Sequence, residues 1–341
     1  MMGSGSWVVL RYIPLAAYVV TILGVSAKAG GFDPWTGTAT YELEHRVDLG
    51  EWESAKPGSV RVWLPMPADN GRQRVRLKAI ESPWPYRETL DANGNRFVYL
   101  EPSAGQAVGG EIVMRFTVER SPHTGISRSD VKPDTPLDPA RYLSPLSRIP
   151  LTGKVREYAE QAGAGLRTDA KRIRAYYDFV IATMSYGKYG EGWGRGDAVW
   201  ACNAKYGNCT DFHSVIIGMC RSQGIPARFV IGFSLPRDRT EMRITGYHCW
   251  AEAYDRDSGW LPMDASDAWK AKRFDDYYGR LPCDRVEYVV GRDLVLDPPQ
   301  SGPPLNFLIY PYVEIDGKPV GSVPWTLRAR RIETYGGGRK H

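Results

Sequence analysis

Several features are scarce in this sequence, and each scarcity excludes a class. Beyond one stretch near the N-terminus, no run comes near the about 18–20 apolar residues of a membrane-spanning helix. Charge of one sign is hardly in excess: 44 basic against 39 acidic residues give +5 over 341 residues, too weak a bias for a nucleic-acid binder. No segment repeats at a fixed period, so a solenoid or a propeller is excluded. Gly-x-Ser-x-Gly, phosphate-loop and dinucleotide fingerprints are absent, as is a dense acidic loop for calcium. Cysteine is sparse, with five residues, too few for a disulfide scaffold. What is present is ordinary for a globular chain: 43% apolar and 24% charged residues, which exclude wholesale disorder. The 11 Trp and 20 Tyr, with 25 Pro and 36 Gly, favour strands, turns and aromatic-lined clefts. At about 100–200 residues per domain, the length predicts two domains.

The one long apolar run, Ile13 to Ala27, carries no charge. Arg11 precedes it and Ala27-Lys28-Ala29 follows, the small-x-small pattern of a cleavage site. Residues 1–29 therefore read as a signal peptide cut after Ala29. The alternative is an uncleaved N-terminal anchor lengthened by Trp7 to Leu10. Removing the leader takes away Arg11 and Lys28 and leaves 42 basic against 39 acidic residues, a net of +3. The expectation is a periplasmic or secreted protein with no integral membrane domain in the mature chain. In such a compartment an odd cysteine count leaves at least one unpaired thiol, reactive or simply buried as a small apolar side chain.

Residues 36–120 alternate with period two. Tyr41, Leu43, His45 and Val47 share one face, and Asn93-Gly94 marks a hairpin between Leu90 and Phe97. The prediction is an N-terminal all-β sandwich. Residues 121–150 hold six prolines, at 122, 133, 136, 139, 145 and 150, and read as an extended linker. The period then becomes helical at 154–162 and 169–186, with a Gly-rich aromatic loop at 187–196 and a third helix at 210–222. Strands follow at 227–233, 247–254, 260–264, 288–290, 294–296, 307–315 and 325–332. Helices followed by antiparallel strands make an α+β domain over 151–334, and 335–341 is a disordered basic tail.

The chemistry concentrates in Tyr206-Gly-Asn-Cys-Thr-Asp-Phe-His213. Asn208 and Asp211 have the spacing of an N-cap and its reciprocal acid, which puts Cys209 on the first helical residue. Free amides and the positive end of the helix dipole favour a thiolate there, so Cys209 is a candidate nucleophile. Such a thiol needs a base, and the base needs an orienting group. His213 lies four residues on, on the same helical face. His248 lies on a strand whose hairpin partner carries Asp264. Pairing about residue 256 would set His248 opposite Asp264, Cβ atoms about 4.5–5.5 Å apart, unless a bulge at Gly259 shifts the register. His248 is preferred, because it gains a carboxylate to fix its tautomer. A zinc site from Cys202, Cys209, His213, His248 and Cys249 is the rival. It is weakened because His248 and Cys249 are adjacent on a strand and point to opposite faces.

These blocks resemble a known family. Gly207-Asn-Cys-Thr-Asp, Gly224-Ile-Pro-Ala-Arg228, His248-Cys-Trp-Ala-Glu252 and Gly259-Trp-Leu-Pro-Met-Asp264 stand in the order and spacing of the transglutaminase-like superfamily. The likeness covers residues 165–270, about a third of the chain, and residues 291–319 look like the tail of exported bacterial members. It implies a papain-like α+β core with Cys209, His248 and Asp264 as a triad and acyl transfer through a thioester. The oxyanion donors would be the Cys209 amide and one side chain, with Asn203 and Trp200 as candidates. Trp250 alternates onto the same strand face as His248 and is expected to wall the cleft. Arg228 and Glu252 are expected to be structural, as a buried ion pair. No cofactor and no metal is implied; the partner is a peptide or protein substrate, with hydrolysis slightly ahead of crosslinking. The alternative is a periplasmic binding or assembly module that keeps the fold without turnover. Cys202 and Cys249 are free to pair in an oxidising compartment.

Overall fold

The computed structural model describes residues 32–51, 59–102, 109–125, 139–235 and 240–332. The expected leader, the middle of the expected linker (126–138) and the basic tail lie outside the described residues.

The N-terminal alternation becomes six strands: β1 (Ala39–Glu51), β2 (Val60–Met66), β3 (Gln73–Glu81), β4 (Tyr86–Leu90), β5 (Arg96–Leu100) and β6 (Gly109–Arg120). Period two holds where it was read: Tyr41, Leu43, His45 and Val47 of β1 are all buried. β4 and β5 pair through the Asn93-Gly94 turn, where Gly94 takes a positive φ of 80°. Helices follow: α1 (Lys154–Ala162), α2 (Asp169–Thr183), α3 (Ala198–Ala204), α4 (Cys209–Ser222) and, later, α5 (Ala265–Ala271). The sequence reading lacks α3 and α5. Each is only seven residues long, too short for a periodic stripe to register.

The remaining strands are β7 (Ala227–Ser234), β8 (Glu241–Ile244), β9 (His248–Asp255), β10 (Gly259–Met263), β11 (Arg285–Val290), β12 (Tyr312–Ile315) and β13 (Trp325–Ile332). One five-stranded sheet runs β8-β13-β1-β6-β3, and a second runs from Lys318–Pro319 through β12-β2-β5 to β4. A four-stranded sheet, β10-β9-β7-β11, lies beside α4. Two expectations are corrected here. Residues 294–296 form a single bridge (Leu294 with Leu305) rather than a strand. And β8, β12 and β13, grouped by sequence with the helices, complete the sheets of β1 and β2 instead. Chain order carries no information about such long-range pairing.

Helix α4 is the core element, with its residues from Cys209 to Arg221 all buried. Burying side chains such as Phe212, Ile216 and Met219 stabilises the fold by about 1.5–3 kcal/mol each. β11 is fastened at its edge by two side-chain amides. Asn95 exchanges bonds with the Val290 backbone (2.7 and 2.8 Å), and Gln73 with that of Glu287 (2.9 and 3.0 Å). Each amide spends an N–H and its carbonyl oxygen on one backbone residue, so it mimics a neighbouring strand.

Candidate active site

The start of α4 follows from its sequence. The Asn208 side chain accepts from Thr210 N–H at 2.9 Å, and Asp211 accepts back from Asn208 N–H at 2.9 Å, a reciprocal cap. Caps of this kind contribute about 1 kcal/mol each. Asp211 does more: its carboxylate also accepts from the backbone of Gly194 (2.7 Å) and Gly196 (3.0 Å). The Gly-rich loop is thereby drawn against the helix. Gly196 has φ +61°, and a Cβ there would lie 2.7 Å from Thr210 Cγ2, so the close approach requires glycine. Cys209 opens the helix as expected, with its first-turn amides unspent within the helix.

His248 is the first residue of β9, and its Nε2 lies 2.7 Å from Asp264 Oδ2. The pair forms, but not for the reason read from sequence. β9 and β10 pair about residue 257, with Asp255 opposite Gly259 and Ala251 opposite Met263, so His248 and Asp264 are not cross-strand partners. Asp264 has left the strand and caps α5 instead. Its Oδ1 accepts from Asp267 N–H (3.1 Å) and Ser266 Oγ (3.1 Å), which turns Oδ2 back to the imidazole. Arg285 braces the same carboxylate (Nη2 to Oδ2, 3.1 Å) and is itself held by Asp267, Asp284 and Ser234.

The charges follow from these contacts. Burial alone would lower the pKa of His248. The charges of Asp264 and Asp267, with hydrogen bonds to Asp264 and Cys209, outweigh it and raise the value to about 10. With Nε2 engaged by Asp264, the other ring nitrogen is left for Cys209. Cys209 is held well below the ordinary thiol range. A hydrogen bond from Cys249 is the largest cause; burial opposes it, and the His248 hydrogen bond and charge add to it. Asp264, beside His248 and Arg285, stays well below the usual carboxylate range despite complete burial. These shifts favour a thiolate–imidazolium pair with a carboxylate behind it.

His213, the other candidate base, is placed differently. Its Nε2 accepts from Ala265 N–H (3.1 Å), its Nδ1 lies 3.7 Å from Cys249 Sγ, and burial lowers its pKa to about 4. It is a neutral buried ring. Cys249, expected to point away from the site, lies 3.8 Å from Thr210 Oγ1 and 3.7 Å from His213 Nδ1, within hydrogen-bonding reach of Cys209. The five cysteines are all free thiols, so Cys202 and Cys249 are not paired. Cys202 lies on α3, outside the site, which removes the zinc set. His248, Asp264 and Asp267 do bring ligand atoms within 4.8 Å of one another, and the Arg285 guanidinium bonds to both carboxylates.

Cys209 and His248 open onto a cleft of about 590 Å³. Its walls are Tyr186, Lys188, Trp193, Gly194 and Arg195 on the loop side and Thr245, Gly246 and Tyr247 on the other, with Phe307 and Tyr310 from the C-terminal segment. Tyr247 is fastened over the helix start, its hydroxyl 2.8 Å from Thr210 Oγ1 and 3.1 Å from Asn208 Nδ2. Three expected cleft residues lie elsewhere. Asn203 accepts from Lys154 Nζ (2.7 Å) at the surface. Trp200 packs edge-on to Tyr206 and does not line the cleft. Trp250 is wholly buried among Val230, Leu281 and Val290. Only the first residue of β9 reaches the cleft, and two residues on the strand is already under the sheet. Arg228 and Glu252 form the expected ion pair at 2.7 Å. Arg285, Asp267, Tyr247 and Trp193 were missed by the sequence reading; the one signal pointing at any of them was the Gly-rich loop around Trp193.

The chain is similar to several known proteins. Residues 156–265 match the core model of the transglutaminase-like superfamily. A Haemophilus influenzae protein, described only as uncharacterized, is 24% identical over 353 residues, spanning 90% of this chain and 95% of the other. A Cytophaga hutchinsonii structure, provisionally assigned as a cysteine protease, superposes with a TM-score of 0.56 at 15% identity, covering 88% of this chain and 92% of that one. The periplasmic domain of TgpA from Pseudomonas aeruginosa gives a TM-score of 0.34 at 17% identity, covering 67% and 91%.

Proposed function

Residues 156–265 carry a transglutaminase-like core, and from that premise we propose that the chain is an exported cysteine enzyme acting on amide bonds of peptides or proteins, by hydrolysis rather than crosslinking. Cys209, His248 and Asp264 are its triad. The Cys209 thiolate attacks the amide carbonyl carbon. The C–N bond breaks, and the amine leaves with the proton that His248 holds. Water, deprotonated by His248, then attacks the thioester and releases the acid. Asp264 stays ionised throughout, keeping the ring oriented and its charge stabilised. The Cys209 backbone N–H is one oxyanion donor. Trp193 and Asn208, which line the cleft beside it, replace Trp200 and Asn203 as candidates for the second. Export rests on the leader pattern at residues 1–29.

The observation that carries this reading is the 2.7 Å contact of His248 with Asp264 beside a helix-initiating cysteine. Its test is the rate of iodoacetamide labelling at Cys209 across pH. With the thiol pKa lowered and that of His248 raised, the reactive pair persists to well below the ordinary thiol value of about 8.5. The expected rate at pH 6 is within about threefold of that at pH 8, and His248→Ala loses the plateau. A rate that rises only near pH 8.5 and ignores His248 contradicts the reading.

A further inference from the structure

We propose that the cleft selects a substrate segment that carries negative charge, with Lys188 and Arg195 as the cations that receive it. The inference rests on Cys209 being the nucleophile and names the kind of acyl donor it attacks.

Among the described residues, the fixed charges lining the cleft, apart from the reacting pair, are Lys188, Arg195, Lys270 and Asp267. Asp267 is the only carboxylate among them, and it is spent: the Arg285 guanidinium and the Lys270 ammonium both bond to it. Lys270 is spent with it and also lies 4.7 Å from the centre of the Tyr186 ring. The Cys209 thiolate and the His248 imidazolium neutralise each other. What remains is a surplus of two positive charges. Lys188 and Arg195 are both exposed, and neither makes an ion pair with any of the described residues.

Their placement is fixed even though their side chains are free. Gly187 N–H bonds to Gly207 O at 2.9 Å, which ties the stretch before Lys188 to the strand leading into α4. Around Arg195 the backbone of Gly194 and Gly196 is held by Asp211, and the Arg195 carbonyl accepts from Asn306 Nδ2 (2.8 Å) and Arg292 Nη2 (3.2 Å). The guanidinium of Arg195 is thus presented by a rigid wall and has no internal partner. The facing wall, Thr245, Gly246, Phe307 and Tyr310, carries no charge that would cancel it. A cleft with one sign of charge and low-dielectric walls concentrates ligands of the opposite sign. The complementary acyl donor is a peptide with a carboxylate close to the scissile amide.

The same surplus bears on which acceptor resolves the thioester. A lysine side chain enters as a cation and is repelled, whereas water is indifferent. Attack by water breaks the C–S bond, returns the thiolate to Cys209 and leaves a carboxylate, a group the two cations also favour. The charge of the cleft therefore selects hydrolysis.

The test compares two alkylating reagents of nearly equal size, anionic iodoacetate and neutral iodoacetamide, at Cys209 of the full chain. Rates are measured in the wild type, Lys188→Glu, Arg195→Glu and the double variant. The iodoacetate-to-iodoacetamide rate ratio is expected to fall about threefold in each single variant and about tenfold in the double one at low salt, with most of that difference removed at about 0.5 M salt. A ratio in the double variant within about twofold of the wild type at low salt overturns the proposal. The ratio judges the charge of the cleft, and the pH profile of iodoacetamide alone judges the nucleophile, so failure of one is distinguishable from failure of the other.

Discussion

Two histidines of this chain are both buried and chemically opposite. His45, in β1 of the N-terminal sheet, has no exposed surface and no partner for either ring nitrogen among the described residues; it packs edge-on to Trp325. Burial alone acts on it and lowers its pKa to about 4. His248, at the mouth of the cleft, is also buried, yet its pKa is raised to about 10. The difference lies in the carboxylates. Asp264 and Asp267 face His248, whereas His45 faces an aromatic ring. Burial strengthens whatever charge partner is present and penalises its absence. His213 sharpens the lesson. It lies 3.9 Å from the other oxygen of Asp264 and still stays neutral, because Ala265 N–H occupies its Nε2 and burial outweighs the more distant charge.

The comparison breaks most severely if the carboxylate is removed. Asp264→Asn leaves only the more distant Asp267 facing His248 (3.9 Å), so the ring pKa should fall toward that of His45 and its hold on the thiol weaken. The expected loss in labelling rate at pH 6, and in any amide-cleaving activity, is about a hundredfold to ten-thousandfold. Asn is also a good N-cap, so α5 should survive, while loss of the buried pair with Arg285 should lower the thermal unfolding midpoint without abolishing the fold. Loss of reactivity together with loss of the fold would contradict the account. A smaller effect is expected at the donor behind the thiol. Cys249→Ala removes the hydrogen bond that most lowers the Cys209 pKa. A hydrogen bond to a charged group stabilises it, so the thiol should titrate higher and the labelling profile should move to higher pH. An unchanged profile would mean that His248 alone ionises Cys209.

Much of the site was legible because it is local. The cap Asn208–Asp211 and the Gly224-Ile-Pro226 stop fixed α4 and placed Cys209 at its start. His248 and Asp264 were legible as partners through the hairpin they flank, although the register argument for them fails. Hairpin spacing gives proximity, and the turn of the chain into α5 gives the contact itself. Trp250 was misplaced by the same kind of reasoning: period two predicts the face of a strand but not how far a cleft reaches along it. Arg285, Phe307 and Tyr310 come from segments with no spacing relation to Cys209, so no local pattern announces them. The return of β12 and β13 to the N-terminal sheets was hidden for that reason too.

The most direct test of the central claim is an NMR titration of the imidazole rings in the intact protein. The account predicts that His248 remains doubly protonated at pH 8 and loses its proton only near 10, while His45 stays neutral down to about pH 4. If His248 instead titrates near the ordinary value of about 6.5, Asp264 does not hold it charged, and the thiolate–imidazolium pair on which the proposed chemistry rests does not exist.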